Sequence, residues 1–87
     1  MHSGSMLVTG GPFACVLIAW QAHHREIKSY LINRLSDRAT ADDLLQDVFL
    51  RTLRYGQPFC RIENKRAWLF EVARNAVTDH LRAAKPH

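Results

Sequence analysis

Apolar side chains recur every three or four positions along most of this chain, and no segment alternates apolar and polar residues as a strand does. A spacing of three and four places side chains on one face of an α-helix. Two breaks divide the periodic stretch, a polar segment at 36–39 and the turn from Gly56 to Pro58. The sequence therefore predicts an all-α fold of three helices.

The first two predicted helices have local start and stop signals. The first helix begins near Pro12, because proline suits a first helical turn, and ends at about Leu35. Thr40 is expected to cap the second helix, with Asp43 three residues later as the partner of a capping box. Gly56 ends this helix, because glycine accepts the left-handed turn that often follows one.

The third predicted helix runs from an Asn64 cap to about Ala84. The chain has 87 residues, 47% of them apolar, which is enough for three helices to share one small core. We expect one compact domain at 12–85, preceded at 1–5 by an expression-vector remnant. The predicted inward faces consist of Trp20, His24, Ile27, Leu31 and Leu35, then Leu44, Leu45, Val48, Phe49 and Leu53, then Trp68, Leu69, Val72, Ala73, Ala76 and Leu81.

The charges are unevenly distributed along the chain. The formal net charge is +4, yet residues 36–50 hold four acids and one base, whereas residues 54–85 hold seven bases and three acids. An acidic part and a basic part in one small domain indicate two different partners, and the basic part suits a polyanion.

Several other classes of protein are disfavoured. Cys15 and Cys60 form no CxxC pair, so we interpret both as ordinary thiols of a reducing cytoplasm. Neither they nor His23 and His24 have the spacing of a zinc site, so no metal and no cofactor is expected. The apolar run at 13–20 is too short to span a bilayer. We therefore expect no membrane partner. The sequence contains no recognisable pair of catalytic nucleophile and base, so we also do not expect an enzyme.

Two segments carry a specific family pattern. Residues 41–51 read ADDLLQDVFLR, and residues 67–82 read AWLFEVARNAVTDHLR. The first resembles the polymerase-docking helix of sigma factors, and the second resembles their promoter-reading helix. Between them lies a loop with proline and aromatic residues. The chain is similar to region 2 of extracytoplasmic-function sigma factors over roughly residues 20–85.

The resemblance implies a docking face on the second helix, made of Asp43, Gln46, Asp47 and Leu50, that meets the basic clamp helices of core RNA polymerase. The two aspartates lie one turn apart, opposite the apolar stripe. The alternative is a solvated acidic face held by an Asp47 to Arg51 pair.

The resemblance also implies contact with single-stranded promoter DNA, with one base of the non-template strand held in a pocket of the loop. Such a pocket needs an apolar wall, polar groups for the base edge and cations for the phosphates. Asparagine has a low helix propensity, so its presence inside a helix favours a ligand-binding role for Asn75. In the alternative, Phe59 and Ile62 pack back onto the core. The predicted DNA-binding residues are Phe59, Arg61, Ile62, Asn64, Lys65, Arg66, Arg74, Asn75 and Arg82.

The implied function is recognition and melting of the promoter −10 element, with RNA polymerase core, promoter DNA and an anti-sigma factor as implied partners. Members of this family also carry a carboxy-terminal domain that reads the −35 element, and no counterpart of it is expected after Lys85. The alternative function is a helical interaction module that mimics sigma on the polymerase clamp without reading DNA.

Overall fold

Three α-helices follow one another, with a short 3-10 helix between the second and third. The computed structural model describes residues 13–84; the expected remnant at 1–5, Pro12 and Lys85 lie outside that range. The helices are α1 at Ala14–Leu35, α2 at Arg38–Tyr55 and α3 at Lys65–Ala84, with the 3-10 helix at Gln57–Arg61. Residues 13–84 contain no strand, so the predicted all-α class is confirmed. None of the helices in this range is long and apolar enough to cross a membrane.

The turn between α1 and α2 differs in part from the sequence prediction. Helix α1 ends at Leu35 as predicted, because Ser36 adopts a left-handed conformation with φ of 55° and donates its N–H to the Ile32 carbonyl. The predicted Thr40 cap of α2 is wrong. Asp37 is the cap, since its carboxylate accepts the Ala39 N–H, and the Thr40 hydroxyl donates to that same carboxylate. Asp37 lies three positions before Thr40, so it caps the helix earlier along the chain.

The loop between α2 and α3, residues 56–64, is fixed at both ends. Gly56 has φ of 79°, a conformation that a residue with a Cβ rarely adopts, and it lets the chain leave α2. At the other end the Asn64 side chain accepts the Ala67 N–H at 3.0 Å, which confirms the predicted cap of α3. The interhelical loop therefore leaves and rejoins helices at defined angles.

The core lies along the contact line of all three helices. Its buried apolar members are Val16, Ala19, Ile27 and Leu31 of α1, Ala41 and Val48 of α2, Phe59 of the loop, and Leu69, Ala73, Ala76 and Val77 of α3. The predicted inward position of Leu81 is wrong, since this side chain is 47% exposed and the inner line of α3 continues through half-buried His80. Buried Thr52 donates its hydroxyl to the Val48 carbonyl, which satisfies that polar group.

Aromatic pairs join each helix to its neighbours. Aromatic rings with centroids 5 to 6 Å apart, tilted or edge to face, stabilise the fold beyond the area they bury. The pairs are Trp20 with Phe49 at 5.1 Å, Tyr30 with Phe70 at 5.6 Å, Tyr55 with Trp68 at 4.9 Å and Phe59 with Trp68 at 5.2 Å. The last two pairs place Trp68 of α3 between the end of α2 and the loop.

The two cysteines are bonded to each other, which corrects the interpretation of both as free thiols. Cys15 in the first turn of α1 and Cys60 in the 3-10 helix form a disulfide, with Cα atoms 5.4 Å apart. They are 45 positions apart in sequence, so the pair is created by the packing of the loop against α1. Spacing rules for cysteines detect only pairs that are close along the chain.

Candidate functional site

The predicted docking face, made of Asp43, Gln46, Asp47 and Leu50, is one continuous strip of α2. Asp43 and Gln46 are exposed, Asp47 is half-buried, and buried Val48 lies on the opposite side. Leu50 is 45% exposed among these polar side chains. The strip therefore offers an apolar side chain within an acidic surface, which is a combination suited to a basic partner.

Asp47 is also part of an ion-pair network between α2 and α3. The Arg51 Nε lies 2.9 Å from the Asp47 carboxylate, and a terminal nitrogen of Arg51 lies 3.2 Å from the Asp79 carboxylate. The pairing of Asp47 with Arg51 is the one expected if this strip were only a solvated acidic face. Half-exposed pairs of this kind contribute only about 0.3–0.5 kcal/mol, so Asp47 remains available to a stronger cationic partner.

The loop forms a small open cavity. Its volume is about 250 Å³, and it is lined by Gln57, Pro58, Cys60 and Arg61. Arg61 is exposed. The cavity thus combines an amide, an apolar ring and a guanidinium within the five residues of the 3-10 helix. These are the kinds of group that a base edge and its phosphate require.

Phe59 and Ile62 pack inward, as the core alternative has it. Phe59 is fully buried, and its ring meets Trp68 edge-on. Ile62 is half-buried and packs against the core. Phe59 therefore presents no accessible ring face for stacking in this conformation, and its part in a base pocket stays a prediction.

Lys65 holds the loop together from within. Its Nζ donates to the carbonyl oxygens of Cys60 at 3.2 Å and Ile62 at 2.9 Å, and it lies 5.8 Å from the centre of the Phe59 ring. A cation at this point satisfies carbonyls at the end of the 3-10 helix. The sequence assigned Lys65 to phosphates, and its anchoring contacts were missed because they depend on how the loop folds.

Arg66 makes a two-pronged ion pair with a residue that the sequence did not single out. Its Nε and a terminal nitrogen donate to the two carboxylate oxygens of Glu26 on α1, at 2.9 and 3.1 Å. The guanidinium also lies 4.8 Å from the centre of the Phe70 ring. The hydrogen bond from Arg66 holds the pKa of Glu26 below its usual range, and the same bond raises the pKa of Arg66.

The remaining predicted DNA-binding residues lie along α3. Arg74 pairs with Glu71 on the same helix, while Asn75 and Arg82 are exposed. A rise of 1.5 Å per residue puts Asn75 roughly 15 Å and Arg82 roughly 25 Å along the helix from Lys65. The predicted residues therefore form two groups, one at 59–66 and one along α3. Of these residues only Arg61 lines the loop cavity.

A second cavity of about 370 Å³ lies beside the loop, between the start of α1 and Lys65. It is mostly apolar and is lined by Cys15, Ile18, Ala19, Ala22, His23 and Lys65. The Nδ1 of His24 lies 2.9 Å from the Trp20 carbonyl oxygen, in a hydrogen bond. Within residues 13–84, no three histidine, cysteine or acidic side chains come close enough together to hold a metal ion.

Comparison with known proteins gives a consistent result. The model of the family Sigma-70 region 2 matches residues 19–86. The RNA polymerase sigma factor SigZ of Bacillus subtilis is 29% identical over 66 residues, which are 76% of this chain and 38% of that protein. The ECF RNA polymerase sigma factor SigM of the same organism is 33% identical over 66 residues, 76% of this chain and 40% of that protein.

A third relative comes from another organism. The probable ECF RNA polymerase sigma factor SigI of Mycobacterium tuberculosis is 32% identical over 69 residues, 79% of this chain and 23% of that protein. The chain thus spans well under half the length of these relatives. No solved structure matches the chain significantly.

Proposed function

Because this chain belongs to the Sigma-70 region 2 family, in its extracytoplasmic-function branch, we propose that it acts in transcription initiation by binding core RNA polymerase and melting the promoter −10 element. It would do so without enzymatic chemistry, by holding single-stranded non-template DNA. RNA polymerase and promoter DNA are accordingly its proposed partners, and the cytoplasm is its proposed location.

The polymerase contact is assigned to the docking face of α2. The observation that carries the proposal is exposed Leu50 surrounded by Asp43, Gln46 and Asp47, since an isolated acidic surface would not need an apolar centre. A basic coiled coil could pair with the carboxylates while it covers Leu50. Such a contact would compete with Arg51 for Asp47.

The DNA contact is assigned to the loop cavity and to α3. Arg61 is exposed at the cavity and can reach a phosphate, while the cavity itself offers polar and apolar groups to a base. Asn75 is exposed on α3, a rigid element suited to holding the strand in register. The loop would select the base, and α3 would position the strand beside it.

The polymerase contact is tested with variants of α2. Asp43→Arg and Asp47→Arg should each weaken binding to the isolated clamp helices while the helical circular dichroism stays unchanged. Asp42→Arg is the matched control, because this exposed acid of the same helix faces Lys28 of α1 at 3.5 Å. Equal affinity of all three variants and the parent would remove docking from this face.

The DNA contact is tested by binding short non-template oligonucleotides in which each base is varied in turn. Replacing the cavity-lining segment at 57–61 should change the preferred base. Asn75→Ala should lower affinity or shift preference at a neighbouring base, by roughly 1–3 kcal/mol if a direct base contact is lost. If Asn75→Ala erases base preference while the loop replacement leaves it intact, the pocket is wrongly assigned. Clamp binding without any DNA binding would instead support a sigma mimic.

A further inference from the structure

The disulfide joins the start of α1 to the cavity that we assign to the promoter base. Cys60 is one of the four residues lining that cavity, and Cys15 lies in the first turn of α1. The Cα atoms are 5.4 Å apart, within the range in which a disulfide forms or opens without backbone movement. The disulfide is therefore one covalent attachment of the cavity wall to α1.

The other attachments of this cavity wall are non-covalent, and one of them is the fully buried ring of Phe59 in the same 3-10 helix. The carbonyl of Cys60 accepts a hydrogen bond from the Lys65 Nζ, so residue 60 is held through its backbone as well as its sulfur. Reduction would remove the covalent attachment and leave this hydrogen bond. The 3-10 helix would remain in place but gain conformational freedom, because runs of 3-10 helix have weak hydrogen-bond geometry of their own.

We propose that Cys15 and Cys60 form a reversible thiol pair whose oxidation tightens DNA binding by the loop, an inference that rests on the proposed function. In the bonded state the cavity is preformed, so a base enters it without ordering the loop. In the reduced state part of the binding free energy is spent on ordering the loop. Oxidised protein should therefore bind more tightly and discriminate bases more sharply.

The chemistry needs a two-electron oxidant, for which we name hydrogen peroxide. The thiolate of one cysteine attacks a peroxide oxygen, which breaks the O–O bond, forms a sulfenic acid and, with a proton, releases water. The second thiol attacks that sulfenic sulfur, forms the S–S bond and releases a second water. Two thiols and one peroxide thus give one disulfide and two waters. Lys65 lines the second cavity together with Cys15, and a cation beside a thiol would favour the attacking thiolate.

The proposed location makes a reversible bond more reasonable than a permanent one. Proteins that act on RNA polymerase work in a compartment whose thiols are kept reduced, and disulfides found there are usually transient and redox-sensing. The pair would be reduced at rest and would close when peroxide rises. The loop would then respond directly to the redox state around it.

The test uses the whole 87-residue chain in two states, treated with peroxide or with a reductant that is then removed. Alkylation should count no free thiols in the first state and two in the second, with the protein monomeric in both. Affinity for the preferred oligonucleotide should be about threefold or more higher in the oxidised state. Cys15→Ser, which leaves the cavity lining unchanged, and Cys60→Ser should each bind DNA equally with and without peroxide.

Each other result has a defined meaning. Two free thiols after peroxide, a disulfide-linked dimer, or a smaller or reversed difference in affinity would overturn the thiol switch while the DNA-reading role stands. Loss of helical circular dichroism on reduction would also overturn it, because the bond would then support the whole fold and not the loop. No DNA binding in either state would instead refute the proposed function on which the switch rests.

Discussion

Replacing Phe59 separates a core role from a base-stacking role. The side chain is fully buried, and its ring packs against Trp68 at 5.2 Å between centroids. Truncating a buried phenylalanine to alanine destabilises a protein by about 3–5 kcal/mol. A domain of this size has a total stability of roughly 4–13 kcal/mol, from about 0.05–0.15 kcal/mol per residue. Phe59→Ala should therefore remove about a quarter or more of the free energy of unfolding.

A stacking role makes a different demand. Loss of a base-stacking ring would weaken DNA binding by roughly 1–3 kcal/mol and leave the unfolding free energy nearly unchanged. Phe59→Leu sharpens the comparison, because leucine keeps most of the apolar volume in the core but offers no ring to a base. The burial of Phe59 predicts that this variant keeps most of the stability and most of the DNA affinity.

The assay is unfolding in urea, detected by the change in circular dichroism, together with DNA binding at a temperature where each variant is folded. A loss of less than about 1 kcal/mol in Phe59→Ala would refute the core assignment, because that is the ordinary effect of a surface or mildly buried site. A large loss of DNA affinity in Phe59→Leu with unchanged stability would show that the ring leaves the core to meet the base.

Three further predictions follow from the side-chain contacts. If exposed Arg61 meets a phosphate, Arg61→Ala should reduce the salt slope of single-strand binding by roughly 0.7. Arg66→Ala should reduce that slope less, because Glu26 already pairs with Arg66. Equal salt slopes in the parent and in Arg61→Ala would contradict this. Closing a loop of 45 residues should stabilise the fold by about 4 kcal/mol, so reductant should lower the urea midpoint of the parent but not that of Cys15→Ser. Because the pKa of Glu26 is lowered in the folded protein, its ionised carboxylate adds stability above the ordinary carboxyl pKa, and this stability is lost as the pH falls through the lowered pKa. The thermal midpoints of the parent and Glu26→Gln should therefore converge in acid. A difference between the midpoints that does not change with pH would exclude this linkage.

The helices were predictable because their signals are local. Periodic apolar residues, Gly56 and the Asn64 cap determine where helices run, and each acts within a few positions of itself. The cap was misplaced at Thr40 because Asp37, three positions earlier, also carries a side-chain oxygen and accepts the Ala39 N–H at the helix start. The family pattern is also carried by the linear order of residues, which is why region 2 could be identified before any contact was known.

The common helix face of the predicted docking residues was predictable for the same reason. Residues three and four apart share a helix face whatever surrounds the helix, so Asp43, Asp47 and Leu50 were placed together correctly. The loop residues were not. Phe59 and Lys65 had the right chemistry for a base and a phosphate, yet the structure uses one to fill the core and the other to bind carbonyls.

The sequence by itself determined three helices, their approximate ends, one acidic strip and the family, because each follows from residues that are neighbours along the chain or one helical turn apart. Only the tertiary structure decided which distant residues meet. Arg51 reaches Asp79 across 28 positions, Arg66 reaches Glu26 across 40, and Cys15 reaches Cys60 across 45. These contacts depend on how the helices cross and where the loop packs, and those are set by the fit of the shared core, which no local pattern encodes.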